Sequence, residues 1–282
     1  MDLLQLSPFP SVAANARASL ATRELEGRSV HGLLFQMTGT FDRSHVDDVR
    51  IRAGGKDLLE GITGAQLQDI NDYLGLNADA SFFAHWFGDP LARTIRGQHL
   101  GDLDLSVYGD SPLELEVDVG GATGPGLNVF AVVGAPKVSM GIGLGEGDAQ
   151  LVRAMTRTVI TESAAVSRKA YPISLGSEAG ARVRAMHLFH SNLTSAELRK
   201  AGDIKHDDIA VAVNTYFNEA FADRVAQSGL YTLDRIPDGN QGEAEPTIQS
   251  NGKQWPIQVR LTTSGADTIT AFSDLITAVP LL

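Results

Sequence analysis

Apolar and polar residues alternate along much of this chain, and Leu113-Glu114-Leu115-Glu116-Val117-Asp118-Val119 shows the pattern most plainly. Successive side chains of a strand point to opposite faces, so this run predicts a half-buried strand with its carboxylates outward. Residues 30–37, 46–52, 181–188 and 257–262 alternate in the same way, the third with its arginines expected outward. The residues from Leu151 onward are rich in β-branched types and also read as a strand. Gly54-Gly55, Gly124-Pro125-Gly126, Asp238-Gly239 and Asn251-Gly252 separate these runs with residues suited to turns. Many short half-buried strands joined this way predict β-sandwiches rather than a parallel sheet with crossover helices.

Two segments change to a helical period. Thr63 and Gln66 have the spacing of a capping box, in which each side chain reaches the other residue's backbone N–H. Leu67, Ile70, Tyr73 and Leu74 then share a stripe, and Gly75 stands where a helix ends. In the second segment Asp207 or Asp208 is the expected cap. Ile209, Val213, Tyr216, Phe217, Ala220 and Phe221 lie on one face, and the helix is expected to end near Gly229. Residues 237–251, polar and glycine-rich, read as a long exposed loop.

These helices sit at matching places in a chain that repeats itself. Ile51-Arg52-Ala53-Gly54-Gly55-Lys56-Asp57, followed by Asn71-Asp72-Tyr73, returns as Leu198-Arg199-Lys200-Ala201-Gly202-Asp203, followed by Asn214-Thr215-Tyr216. Val117-Asp118-Val119 and Leu127-Asn128-Val129-Phe130 are echoed by Val259-Arg260-Leu261 and Ile269-Thr270-Ala271-Phe272. The offset stays near ~143 residues, far beyond the roughly 20–50 of a solenoid and right for a duplicated domain. The expected division is residues 1–140, a glycine-rich linker over 141–149, and residues 150–282. Phe82-Phe83-Ala84-His85-Trp86-Phe87 reads as an insertion that the second half lacks, serving as core or subunit interface.

Charge narrows the function. Thirty-four acidic residues against 23 basic ones give a net charge of −11, which opposes binding to nucleic-acid phosphates or to an anionic membrane surface. With no cysteine, disulfides and thiolate metal sites are excluded. The start, Met1-Asp2-Leu3-Leu4-Gln5-Leu6-Ser7-Pro8, lacks the pattern of a signal peptide, so folding in a cytoplasm is expected. No apolar run approaches the ~20 residues that span a bilayer.

Catalytic patterns are sparse. The alternating glycines of residues 141–147 lack the strand before and helix after that a dinucleotide-binding loop needs. His187 and His190 are three apart on a strand, so they point to opposite faces, and the His-x-His of a duplicated cupin does not occur. Carboxylate pairs are common: Asp47-Asp48, Asp102 with Asp104, Glu116 with Asp118, Asp207-Asp208, and Glu243 with Glu245. Glu116 and Asp118 share a strand face, as a glycosidase could use, but a solvated face explains them as well. No Gly-x-Ser-x-Gly elbow is present. No catalytic or cofactor-binding residue is assigned, and metal ligands stay unknown.

Pro10-Ser11-Val12-Ala13-Ala14, Val49-Arg50-Ile51-Arg52 with Gly55 and Leu58-Leu59, Val183-Arg184-Ala185-Met186-His187 and Tyr231-Thr232-Leu233-Asp234 carry a resemblance over most of the chain. The sequence resembles the major capsid proteins of tailless, internal-membrane-containing bacteriophages, of the corticovirus type. Residues 81–98 depart from that likeness. The resemblance implies an all-β double jelly roll: two tandem eight-stranded antiparallel jelly rolls, each with one inserted helix. It further implies a non-enzymatic coat protein of the virion, synthesised and assembled in a host cytoplasm. Homotrimers forming pseudo-hexagonal capsomers would tile an icosahedral shell over an inner membrane. Neighbouring capsomers, vertex or penton proteins and minor capsid proteins would be the partners, with no direct contact to nucleic acid. No cofactor is required, and calcium is the ion the resemblance suggests. A glycan-binding or glycan-hydrolysing protein on the same scaffold, and a minor capsid or spike protein, are the alternatives.

Overall fold

The computed structural model describes residues 1–76, 78–108, 111–137, 149–173, 175 and 181–280. Of the expected linker, residues 141–149, only Ala149 is among them.

The first half carries β1 (Asp2–Gln5), β2 (Ala16–Thr22), β3 (Ser29–Thr38), β4 (Val46–Ala53), β5 (Lys56–Ile62), α1 (Gly64–Tyr73) and β6 (Phe82–Trp86). It continues with α2 (Ile95–His99), β7 (Leu103–Asp104), β8 (Leu113–Val119) and β9 (Gly126–Gly134). The second half carries β10 (Ala149–Glu162), β11 (Val166–Pro172), β12 (Arg182–Phe189), β13 (Leu193–Lys200), β14 (Asp203–Ala210), α3 (Val211–Phe221) and β15 (Leu230–Asp234). After these come β16 (Glu245–Pro246), β17 (Ile257–Thr263) and β18 (Asp267–Pro280).

Each half folds into two antiparallel sheets. In the first they are β1-β9-β3-β6, with β7 beside β3, and β2-β8-β4-β5. In the second they are β10-β18-β12-β15, with β16 beside β12, and β11-β17-β13-β14. Each strand of the first half has its counterpart in the same position of the second, strand for strand. α1 leads from β5 to β6 as α3 leads from β14 to β15. Both halves are jelly rolls of eight main strands with a two-residue ninth, and among the described residues no sheet joins them.

Local chemistry accounts for the elements. In β8 the even alternation buries Leu113, Leu115, Val117 and Val119 and leaves Glu114, Glu116 and Asp118 partly exposed. The Thr63–Gln66 capping box forms at the start of α1, and Gly75 takes the positive φ that ends it. Gly54 and Gly55, with φ of 55° and 71°, make the two-residue turn between β4 and β5. Ala201 and Gly202, with φ of 51° and 91°, repeat that turn between β13 and β14.

Several expectations change. Residues 82–86 are not an insertion: they form β6, the counterpart of β15, and what the first half adds follows them, including α2. The strand was hidden because both of its faces carry aromatic rings. Phe83, His85 and Phe87 are buried, with Phe83 stacked on Phe35 at 4.5 Å, whereas Phe82 and Trp86 are half-buried on the other face. Asp207 and Asp208 lie within β14, and α3 starts from Ala210 with no side-chain cap. Residues 237–251 are not simply an exposed loop, since Gln241 and Thr247 are buried.

Candidate assembly interface

The halves meet through unlike surfaces. The first offers α1, β5 and the segment after β6; the second offers the outer face of its β10-β18-β12-β15 sheet. On β18, Ala271 points into the second core, and Phe272 beside it joins the first-half core together with Met155. Tyr73, the last residue of α1, sets its ring edge-on to His187 with centroids 6.1 Å apart. Its hydroxyl donates to Asp234 Oδ2 at 3.4 Å, and the Arg224 guanidinium lies 6.0 Å from the ring centre. The backbone N–H of Val225 donates to the Tyr73 carbonyl at 2.9 Å, satisfying an acceptor that a helix end leaves open.

Charge is buried at this seam and paired. Arg153 holds Asp274 with both arms, Nε to Oδ1 at 2.9 Å and Nη2 to Oδ2 at 2.8 Å, and its Nη1 donates to the Trp86 carbonyl of the first half at 2.9 Å. Arg184 donates to Asp274 at 3.2 Å and pairs with Asp89 across the seam. Gln241 donates to the same Asp89 at 2.5 Å. Burial pushes the Asp274 carboxyl up, but Arg153 and Arg184 outweigh it and bring it down to about 2. Arg184 was expected to face solvent. It is buried instead, because a bulge between Val183 and Ala185 sits in a sheet whose outer face meets the other half. Lys137 gives its three donors to carbonyls on both sides: Leu100 at 3.1 Å, Asp102 at 2.7 Å and Leu151 at 2.5 Å. Burial pushes the Lys137 ammonium down to about 8, against the pull of Asp102 and Asp104.

Of the paired carboxylates, Asp48 lines an open cavity with Asp57, Glu60 and Arg157, and none of the other pair members lines it. Glu116 and Asp118 are held by Arg17 at 3.1 and 2.6 Å, at the sheet surface. Asp104 accepts from the Ser106 N–H at 3.0 Å, Asp208 from the Ser195 hydroxyl at 2.5 Å, and Glu245 from Lys200 at 2.6 Å. His187 bonds the Thr232 hydroxyl at 3.0 Å, and His190 follows the end of β12. Among the described residues, one trio of His, Asp or Glu ligand atoms could converge on an ion: His31, His99 and Asp102. Asp102 Oδ2 lies 2.5 Å from His31 Nδ1 and 2.8 Å from His99 Nδ1. Ligand atoms around a tetrahedral zinc at about 2.0–2.2 Å stand roughly 3.3 Å apart, so these spacings are hydrogen bonds from two imidazoles to one buried oxygen. Sequence reasoning missed the trio, because His31 lies on β3 and only the spacing of His99 and Asp102 is local.

α3 has its polarity reversed. Asn214 and Asn218 face inward and are buried, while Val213, Tyr216, Phe217 and Phe221 are exposed. Phe217 and Phe221 stack with centroids 5.7 Å apart. A helix that turns its apolar stripe outward has a surface to cover, not a core to fill.

Two like jelly rolls fused side by side make a double jelly roll, and the family models that match the two halves are those of a viral coat protein. One described as viral coat protein P2 N-terminal domain matches residues 3–134, and one described as viral coat protein P2 C-terminal domain matches residues 153–279. The chain belongs to the viral coat protein P2 family, a family of structural proteins and not enzymes. Its fold is similar to that of the major capsid protein P2 from bacteriophage PM2, with a TM-score of 0.81 and 16% identity over 99% of this chain and 97% of that one. The STIV MCP is similar with a TM-score of 0.71 and 12% identity over 98% and 97% of the two chains. PBCV-1 VP54 follows with a TM-score of 0.61 and 10% identity over 99% and 95%. No curated protein matches the sequence.

Proposed function

We propose that this coat protein works as a homotrimeric, pseudo-hexagonal capsomer that tiles an icosahedral shell over an internal membrane. The observation that carries the reading is the identical strand order of the two halves, which makes one chain two near-equivalent building units. Three such chains supply six units around one axis, the number that packs a plane without gaps. Neighbouring capsomers, vertex proteins and minor capsid proteins are the partners, and assembly takes place in the host cytoplasm. The net charge of −11 supports a shell that does not touch nucleic acid, and makes calcium useful where acidic faces of capsomers meet. Light scattering on the purified chain tests this: a stable species of three chains is expected, and a monomer that persists at high concentration overturns it. Chelation of the intact particle tests the calcium role, with loosening of the shell expected.

A further inference from the structure

The seam between the halves uses a different surface from each, and duplication leaves a copy of each surface on the other half. Asn71 in α1 donates to the Ala84 carbonyl in the middle of β6 at 2.7 Å, and Asn214 in α3 donates to the Thr232 carbonyl in the middle of β15 at 3.0 Å. The two helices therefore correspond at these residues, and Tyr73, two positions on, corresponds to Tyr216. On the sheet side Phe272 corresponds to Phe130. Each points outward from its strand beside buried inward neighbours, Phe272 paired with His187 and Phe130 with Leu34.

The copies have opposite surroundings. Tyr73 is 3% exposed and Phe272 fully buried, both against the other half, whereas Tyr216 is 66% exposed and Phe130 half-buried. Phe217 and Phe221 extend the apolar surface around Tyr216. On the first half's outer sheet face, Leu3 pairs with Val132, and Trp86 shares the same row through Gly32, which extends the apolar surface around Phe130. One chain thus makes this contact once internally and presents both of its sides again, unmet.

We propose that the aromatic face of α3 docks on the outer β1-β9-β3-β6 sheet face of a second copy of this chain. Tyr216 lies over Leu34 and Phe130 of that copy, as Tyr73 lies against His187, the strand partner of Phe272, within one chain. The assignment rests on the trimeric capsomer of the preceding subsection and locates its seam. A head-to-tail contact of this kind leaves one free side at each end, and closure into a ring satisfies both. A lipid surface is the poorer occupant, because α3 carries Glu219 and no Lys or Arg, whereas helices that lie on membranes are rich in basic residues.

Two variants with one blocked side each test the assignment by size-exclusion chromatography with light scattering. Tyr216→Asp with Phe217→Asp blocks the helix side, and Phe130→Asp blocks the sheet side; the exposed Leu3→Asp replaces the latter if Phe130→Asp does not fold. Each is expected to be a folded monomer, with the far-UV circular dichroism of the wild type. Mixed, they have one working side each that fit together, so a species of two chains is expected and none of three. A helix-side variant that still forms trimers overturns the assignment and leaves the capsomer reading intact, as does a mixture of folded variants that stays monomeric. A wild-type chain that never passes beyond a monomer removes the capsomer reading itself.

Discussion

Asn71 and Asn214 do the same work in the two halves. Each is buried, and each closes the outer edge of the strand that follows its helix by donating to that strand's middle carbonyl. β6 and β15 are the last strands of their sheets, where backbone groups lack a neighbouring strand. Loss of either amide leaves a buried carbonyl without its donor. Asn71→Ala and Asn214→Ala are each expected to lower stability by about 1–3 kcal/mol, read from urea unfolding. Equal costs would show that duplication preserved the function of this residue.

Two residues further along, the halves diverge. Tyr73→Ala empties a packed site at the seam and is expected to cost about 3–5 kcal/mol, as for other buried aromatic residues. Tyr216→Ala, at concentrations where the chain is single, is expected to change stability by less than about 0.5 kcal/mol. Parallel thermal and urea melts of the two variants check the contrast.

The matching turns give a third comparison. Gly54 has a positive φ, and a Cβ there would lie 2.6 Å from the Tyr108 ring, so Gly54→Ala combines backbone strain with a clash and is expected to destabilise by more than about 1 kcal/mol. Ala201 already carries a Cβ at φ 51°. Ala201→Gly relieves that strain, and a gain of up to about 1 kcal/mol in chemical denaturation is expected.

Asp274 faces two buried arginines, from β10 and β12. Asp274→Asn keeps the shape but leaves both cations without their shared counter-charge. A loss of about 3–5 kcal/mol is expected. Asp274→Asn together with Arg153→Met is expected to recover part of it, and the double-mutant cycle measures the coupling.

Buried histidines set an acid limit. Burial, helped by Arg153, lowers His85 to about 3, and burial lowers His187 to about 4, from an ordinary value near 6.5. Both are depressed on folding, so below pH 6.5 the unfolded chain takes up protons that the folded chain refuses. Their contribution is complete above 6.5 and is lost as pH falls toward 4 and then 3, at about 1.4 kcal/mol per pH unit for each histidine. His85 packs edge-on to Phe87 at 4.7 Å. His85→Phe is expected to flatten the pH dependence of the melting temperature between 6.5 and 4.

Much of the fold was legible in the sequence, because period-two alternation survives wherever a sheet has one wet and one dry face, as in β8 and β17. It failed where the outer face also meets protein. Arg184 of β12 read as solvent-facing although its sheet's outer face meets the other half, and β6 was hidden for a different reason, since rings stand on both of its faces. The capping box of α1 was legible since its partners are three residues apart, while the start of α3, lacking a side-chain cap, was misplaced. The outer face of α3 was half visible: the stripe through Val213, Tyr216 and Phe217 showed in the sequence, but not that it points outward.

The intrachain seam also bears on the rate of assembly. In the proposed ring of three fused pairs, every second contact forms within a chain as it folds, at an effective concentration fixed by the covalent connection and not by the number of subunits in solution. Two collisions then bring three chains together and the third contact closes within the assembly, whereas six separate units would need five collisions.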